Sequence, residues 1–141
     1  YGHSAGGHLT AALLATDWRG RDLPQRLVPA GLAISGLFDL QPLIGTSINE
    51  KLGLDRKEAI DASPVTLPAP VGTHLTASVG GGESNEFIRQ SRVIADLWQR
   101  GGVDTELDIR GQDNHFTVIA PLADAGSDLT AKLVAMARKV G

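Results

Sequence analysis

At 141 residues the chain has the length of one domain, and 42% hydrophobic against 21% charged residues place it with globular rather than disordered sequences. The formal charge of −3 comes with no basic run and only 4% aromatic residues, which removes the electrostatic footprint of a nucleic-acid binder. The longest strictly apolar stretch, Ala11 to Ala15, is too short to span a bilayer, and zero cysteines exclude disulfides, thiolate catalysis and cysteine-ligated metals.

Helical and extended patterns alternate along the chain. Leu9, Ala12 and Leu13 lie at helical spacing and predict a helix from about Ala5 to Thr16 with those residues inward. Leu32 to Ser35 reads as a short apolar strand closed by Gly36. A long polar connection follows from Asp39 to Pro70, punctuated by Pro42, Pro64, Pro68 and Pro70, with a short helix expected around Arg56 to Ile60. A second strand is expected from His74 to Val79, ending in the turn Gly80-Gly81-Gly82. Ser84 or Asn85 then caps a helix whose buried stripe is expected to be Phe87, Ile94, Leu97 and Trp98, stopped by Gly101-Gly102. Thr105 to Arg110 alternates strictly, as a half-exposed strand at a sheet edge does. Ser127 caps a last helix, Asp128 to Arg138, with Leu129, Leu133, Met136 and Val140 on one face. The alternation predicts an α/β fold with a mostly parallel sheet and flanking helices, whose ligands gather beyond the carboxyl ends of the strands.

Chemistry is therefore sought at those strand ends. Gly2-His3-Ser4-Ala5-Gly6 matches G-x-S-x-G, a strand-to-helix turn so sharp that side chains at the glycine positions would clash. The turn exposes the Ser4 hydroxyl and aims the Ala5 N–H at the place where an oxyanion would form, at the positive end of a helix. A serine needs a base, and the base needs an orienting carboxylate. Of the four histidines, His3 lies inside the turn and is expected to point away from the serine. His8 is one turn into the helix and is expected to pack or bond to nearby backbone, and His74 opens a strand at the far edge of the sheet. His115 follows the last strand by a short loop, at the carboxyl edge, and is the candidate base. Glu83, after the three glycines, is the candidate acid, with Glu86 and Asp113 as alternatives. Metal chemistry has little support: His3 and His8 are five apart, H-E-x-x-H is absent, and the glycine run lacks the lysine of a phosphate-binding loop.

The stretches Gly2 to Leu9, Ile34-Ser35-Gly36-Leu37-Phe38-Asp39-Leu40, Asp61-Ala62-Ser63-Pro64, Gly82 to Ser91 and Asn114-His115-Phe116 together resemble the α/β-hydrolase esterases close to kynurenine formamidase. The order serine, acid, histidine is also that of the α/β-hydrolases. The resemblance implies Ser4 as nucleophile, His115 as base, Glu83 as acid (where relatives more often carry aspartate) and Ala5 as one oxyanion donor. Leu37, Phe38 and Phe116 flank the expected site, where each either shapes an acyl or aryl pocket or takes a plain core role. It further implies that residues 1–141 correspond to the carboxyl-terminal part of a hydrolase domain, without the upstream strands and the His-Gly-Gly-type loop. On that basis the isolated chain is expected to be inactive and poorly stable, with unpaired backbone along one side of Leu32 to Ser35. The expected reaction is cleavage of a small-molecule ester or N-formyl amide through an acyl-enzyme, with no cofactor and no metal. The alternatives are a general carboxylesterase on small acyl or acetylated-sugar esters, or a non-catalytic binding protein of the same fold. The expected location is cytoplasmic, with no nucleic-acid or membrane partner and at most a second copy of the chain in a homodimer.

Overall fold

A computed structural model describes residues 1–140, the side chain of Val140 excepted, so the expected place of Val140 on the last helix lies outside what is described. Four parallel strands stand in the order β1 (Gly2–His3), β2 (Ala30–Ile34), β3 (His74–Gly80) and β4 (Asp104–Arg110). The helices are α1 (Ala5–Ala15), α2 (Asn49–Leu52), α3 (Arg56–Asp61), α4 (Asn85–Arg100) and α5 (Asp128–Val140). Four short 3₁₀ turns, around residues 19–21, 41–45, 64–66 and 120–123, have no periodic signature and were not foreseen. The third of them starts on Pro64 and the fourth has Pro121 in its first turn, where a missing N–H costs nothing.

Strand pleating assigns the two sides of the sheet. Ala33, Leu75 and Ala77 project to one side and pack with Ala11 and Leu14 of α1 and with Ile94, Ala95 and Trp98 of α4. Leu32 and Ile34 project to the other side and pack with Val118 and with Leu129, Leu133 and Met136 of α5. Register pairs His74 with Asp104, Thr76 with Glu106 and Ser78 with Asp108 on that second side. They form a polar ladder, with His74 Nδ1 2.8 Å from Asp104 Oδ2 and Ser78 Oγ donating to Asp108 Oδ2 at 3.3 Å. Helix α5 meets this ladder with charge: Lys132 donates to Glu106 at 2.6 Å, and Arg110 bridges Asp108 at 3.1 Å and Asp128 at 2.7 Å.

Helix phase departs from the sequence reading in two places. In α1 the buried residues are Gly7, Thr10, Ala11 and Leu14, while Leu9 is 55% exposed and Ala12 and Leu13 are only half-buried. A helix apolar on most positions carries no strong phase signal, and the close approach to β2 selects its small residues. In α4 Phe87 is half-buried and Leu97 is 42% exposed, and the buried stripe is Gln90, Ser91, Ile94, Ala95 and Trp98. Ser84 occupies the cap position of α4 without a side-chain capping bond, whereas Ser127 Oγ accepts from the Thr130 N–H at 3.1 Å as expected. The expected unpaired flank of Leu32 to Ser35 is partly closed, because Ala33 and Ile34 pair with Gly2 and His3.

Gln90 explains why a polar residue lies inside. Its Oε1 accepts from the backbone N–H of Phe38 at 2.6 Å and of Asp39 at 3.0 Å. Its Nε2 donates to the Asp39 carbonyl at 3.0 Å and to Glu86 Oε1 at 2.9 Å. Arg89 adds an ion pair to Asp39 at 3.1 Å. The Glu-Phe-Ile-Arg-Gln-Ser stretch thus fastens the loop after β2 to α4, satisfying backbone groups that no strand partner reaches.

Two outcomes check this packing by urea unfolding. Trp98→Ala is expected to cost ~3–5 kcal/mol and Leu97→Ala no more than ~0.5 kcal/mol, and equal losses would return Leu97 to the core. The Arg89 guanidinium, hydrogen-bonded to Glu86, holds that carboxyl below its ordinary value against a smaller opposing effect of burial. A carboxyl depressed in the folded state stabilises fully above its unfolded value of ~4.3, and that stabilisation is lost as pH falls through the lower folded value. Glu86→Gln is therefore expected to lower stability near neutrality and to converge with the wild type across that acid window. An offset that does not change with pH would refute the linkage.

Candidate active site

The carboxyl ends of all four strands meet on one edge. At the end of β1 the chain reverses through Ser4, which has φ 57° and ψ −117°, left-handed backbone for a non-glycine residue. Its N–H donates to the Ile34 carbonyl at 2.9 Å and its carbonyl accepts from the His8 N–H at 3.1 Å, so both neighbouring elements hold the turn. A Cβ on Gly2 would lie 2.1 Å from the Gly6 carbonyl oxygen, which is the steric reason for glycine there. The Ala5 N–H opens α1 among the first-turn amides that have no intrahelical acceptor.

Glu83 is the centre of the polar arrangement. Its side chain is 1% exposed. Oε1 accepts from Ser35 Oγ at 2.5 Å and from the Gly80 N–H at 2.9 Å, and Oε2 lies 2.7 Å from His115 Nδ1. Ser35 is fully buried at φ 47°, with its N–H bonded to the Ser78 carbonyl at 2.7 Å. Since a carboxylate accepts, Nδ1 carries the proton and Nε2 keeps its lone pair. The glycines after β3 let the loop bearing Glu83 close on the loop bearing His115: a Cβ on Gly80 would stand 2.1 Å from the Asp113 carbonyl oxygen. The two alternative acids are engaged elsewhere. Glu86 bonds Arg89 and Gln90, and the Asp113 carboxyl accepts from Thr117 Oγ1 at 3.2 Å.

The four histidines separate clearly. His8 Nδ1 is 2.8 Å from the Leu37 carbonyl, a backbone bond as expected, and His74 pairs with Asp104 at the far edge. His3, expected only to point away from the serine, lies against His115. Its ring centroid lies 4.6 Å from that of His115, and its Nε2 is 2.8 Å from the His115 carbonyl oxygen. Phe87 stands at the same 4.6 Å from the His115 ring, and Phe116 meets that ring edge-on at 5.8 Å. Among the described residues Ser4 Oγ has no hydrogen bond to His115; the two are linked through His3, the neighbour of Ser4.

A cleft of about 370 Å³ lies over this group, lined by Gly82, Ser84, Phe87, Asn114, His115 and Phe116. Phe116 is 82% exposed and forms part of its wall. Of the pocket and core roles open to the other two residues, the structure favours the core. Phe38 is fully buried, its ring tucked against Gly36 within the α1–α4 core, and Leu37 packs beside Leu40, Leu43 and Ala59. A larger hollow of about 590 Å³, bounded by Arg26, Thr73, His74, Asp104 and Lys139, lies at the opposite edge of the sheet, away from this group. No cluster of three or more histidine, aspartate or glutamate side chains suited to a metal occurs among the described residues. No helix among them is long and apolar enough to cross a membrane.

No family model matches the chain. It is 32% identical over 143 residues to kynurenine formamidase of Danio rerio, covering 98% of this chain and 48% of that protein. Among solved structures it superposes on a Silicibacter protein provisionally designated a thioesterase, with TM-score 0.75, 38% identity, 92% of this chain and 47% of the other covered. An acylaminoacyl peptidase of Pyrococcus horikoshii, at 17% identity and TM-score 0.66 over 89% of this chain and 20% of that one, shares the fold alone. The chain spans about half the length of the curated relatives it matches. Parallel sheet, flanking helices and these likenesses together identify a polypeptide of the α/β-hydrolase fold, similar along nearly its whole length to kynurenine formamidases.

Proposed function

We propose that the chain carries the nucleophile, base and acid of a serine hydrolase that cleaves a small N-formyl amide or ester through an acyl-enzyme. The observation that carries the reading is the buried Glu83–His115 pair, joined through His3 to a serine in left-handed backbone at a helix start. Similarity to proteins named kynurenine formamidase favours an aryl formamide as substrate.

His115 Nε2 takes the Ser4 hydroxyl proton as Oγ attacks the carbonyl carbon. Glu83 keeps the imidazole in the Nδ1–H tautomer and stabilises the imidazolium that forms. The Ala5 N–H stabilises the tetrahedral oxyanion at the positive end of α1. Collapse expels the amine or alcohol, which takes the proton from His115. Water then repeats the attack, releasing the acid and restoring Ser4. A complete oxyanion hole takes a second donor besides the Ala5 N–H, and one such donor is typically worth ~10²–10³ in turnover.

The test is hydrolysis of N-formylkynurenine and of a short-chain aryl ester by the complete gene product. The expected result is formamide turnover that falls by at least ~10³ in Ser4→Ala. Ester turnover without formamide turnover would keep the three residues and give a general carboxylesterase. Absence of any Ser4-dependent turnover, with no labelling by a fluorophosphonate, would overturn the reading in favour of a binding protein.

A further inference from the structure

We propose that His3 is a positioning residue, setting the height of the His115 imidazole over Ser4; this rests on the reading of Ser4 and His115 as nucleophile and base. The carbonyl of His115 can only accept, so the 2.8 Å contact makes His3 Nε2 the protonated nitrogen and the donor. The contact joins residues 112 apart in sequence. His3 ends β1 and immediately precedes Ser4, whose own N–H is pinned to β2. The bond therefore references His115 to the strand that bears the nucleophile.

Among the described residues, the other hydrogen bond to His115, from its Nδ1 to Glu83, reaches Ser4 only indirectly, through β2. Glu83 fixes Nδ1, but Glu83 is itself held by Ser35 and Gly80, at the ends of β2 and β3. The loop around His115 is otherwise tied to the loop after β3, where the Gly82 N–H donates to the Asp113 carbonyl at 3.0 Å, and to itself, where the Phe116 and Thr117 N–H groups donate to Asn114 Oδ1. Phe87, from α4, contacts the imidazole at 4.6 Å with 39° between planes, nearly matching the 40° of His3. Two rings thus set the tilt of the imidazole, Glu83 fixes its rotation, and the His3 bond adds the register with Ser4. A loop free to shift by ~1 Å would keep the Glu83–His115 pair intact and still lose most of the proton transfer.

The experiment compares His3→Phe, which keeps a ring and removes the donor, with His3→Gln, which restores an N–H donor on a side chain of similar reach. Both are made in the complete gene product beside Ser4→Ala. His3→Phe is expected to lower kcat by ~10–10²-fold with KM changed by less than about twofold. His3→Gln is expected to recover most of that loss. The downfield proton resonance bridging His115 and Glu83 is expected to persist in both, which a general disruption of the site would not allow. Wild-type kcat in His3→Phe, with Ser4→Ala inactive, would overturn the positioning role alone. So would loss of the bridging resonance, or a His3→Gln variant no better than His3→Phe. Full turnover in Ser4→Ala would overturn the nucleophile reading and the positioning role with it.

Discussion

The carboxylate of Glu83 ties three strand ends together, and the geometry of the carboxyl edge of the sheet follows from satisfying it. A carboxylate this deeply buried is costly unless its lone pairs are occupied, so the chain must bring it a hydroxyl from the end of β2, an amide from the end of β3 and an imidazole from beyond β4. Those demands bend the backbone. Ser35 adopts a left-handed conformation worth ~1–3 kcal/mol of strain, and the loops after β3 and β4 approach so closely that only glycine fits at residue 80. The strain at Ser35 persists because its N–H and its hydroxyl are both engaged, one with β3 and one with Glu83.

Much of this was legible in the sequence because it rests on local signals. Strict alternation marked β4, the apolar run with a glycine stop marked β2, and G-x-S-x-G marked the turn at Ser4. Glu83 and His115 each follow a strand at the carboxyl edge, a placement readable from the strand order, and the structure brings the two into contact.

What escaped the sequence reading depends on long-range contacts. Ser35 bonds to a residue 48 positions away and His3 to one 112 positions away, and neither pairing leaves a periodic trace. The burial of Gln90 depends on loop amides about 50 residues upstream, which no local pattern reveals. The phase of α1 differs from the expected one for a related reason. When Ala and Leu occupy adjacent positions, periodicity permits several inward faces, and the close fit against β2 chooses among them. The sequence leaves Phe38 open between pocket and core, and the bare backbone at Gly36 decides for the core by giving its ring a seat in the interior.

The two sides of the sheet are held by different forces. On one side α1 and α4 meet alanine, leucine and valine; on the other α5 combines an apolar strip with the ladder of Asp104, Glu106 and Asp108 and its lysine and arginine partners. Attraction between partly exposed charges fades as ionic strength rises and the Debye length shrinks, while kosmotropic salts such as sulfate, excluded from the protein surface, strengthen apolar burial. Such a salt therefore acts on the two layers in opposite directions: it loosens the charged part of the α5 seat while tightening the α4 seat, through one sheet that both helices share.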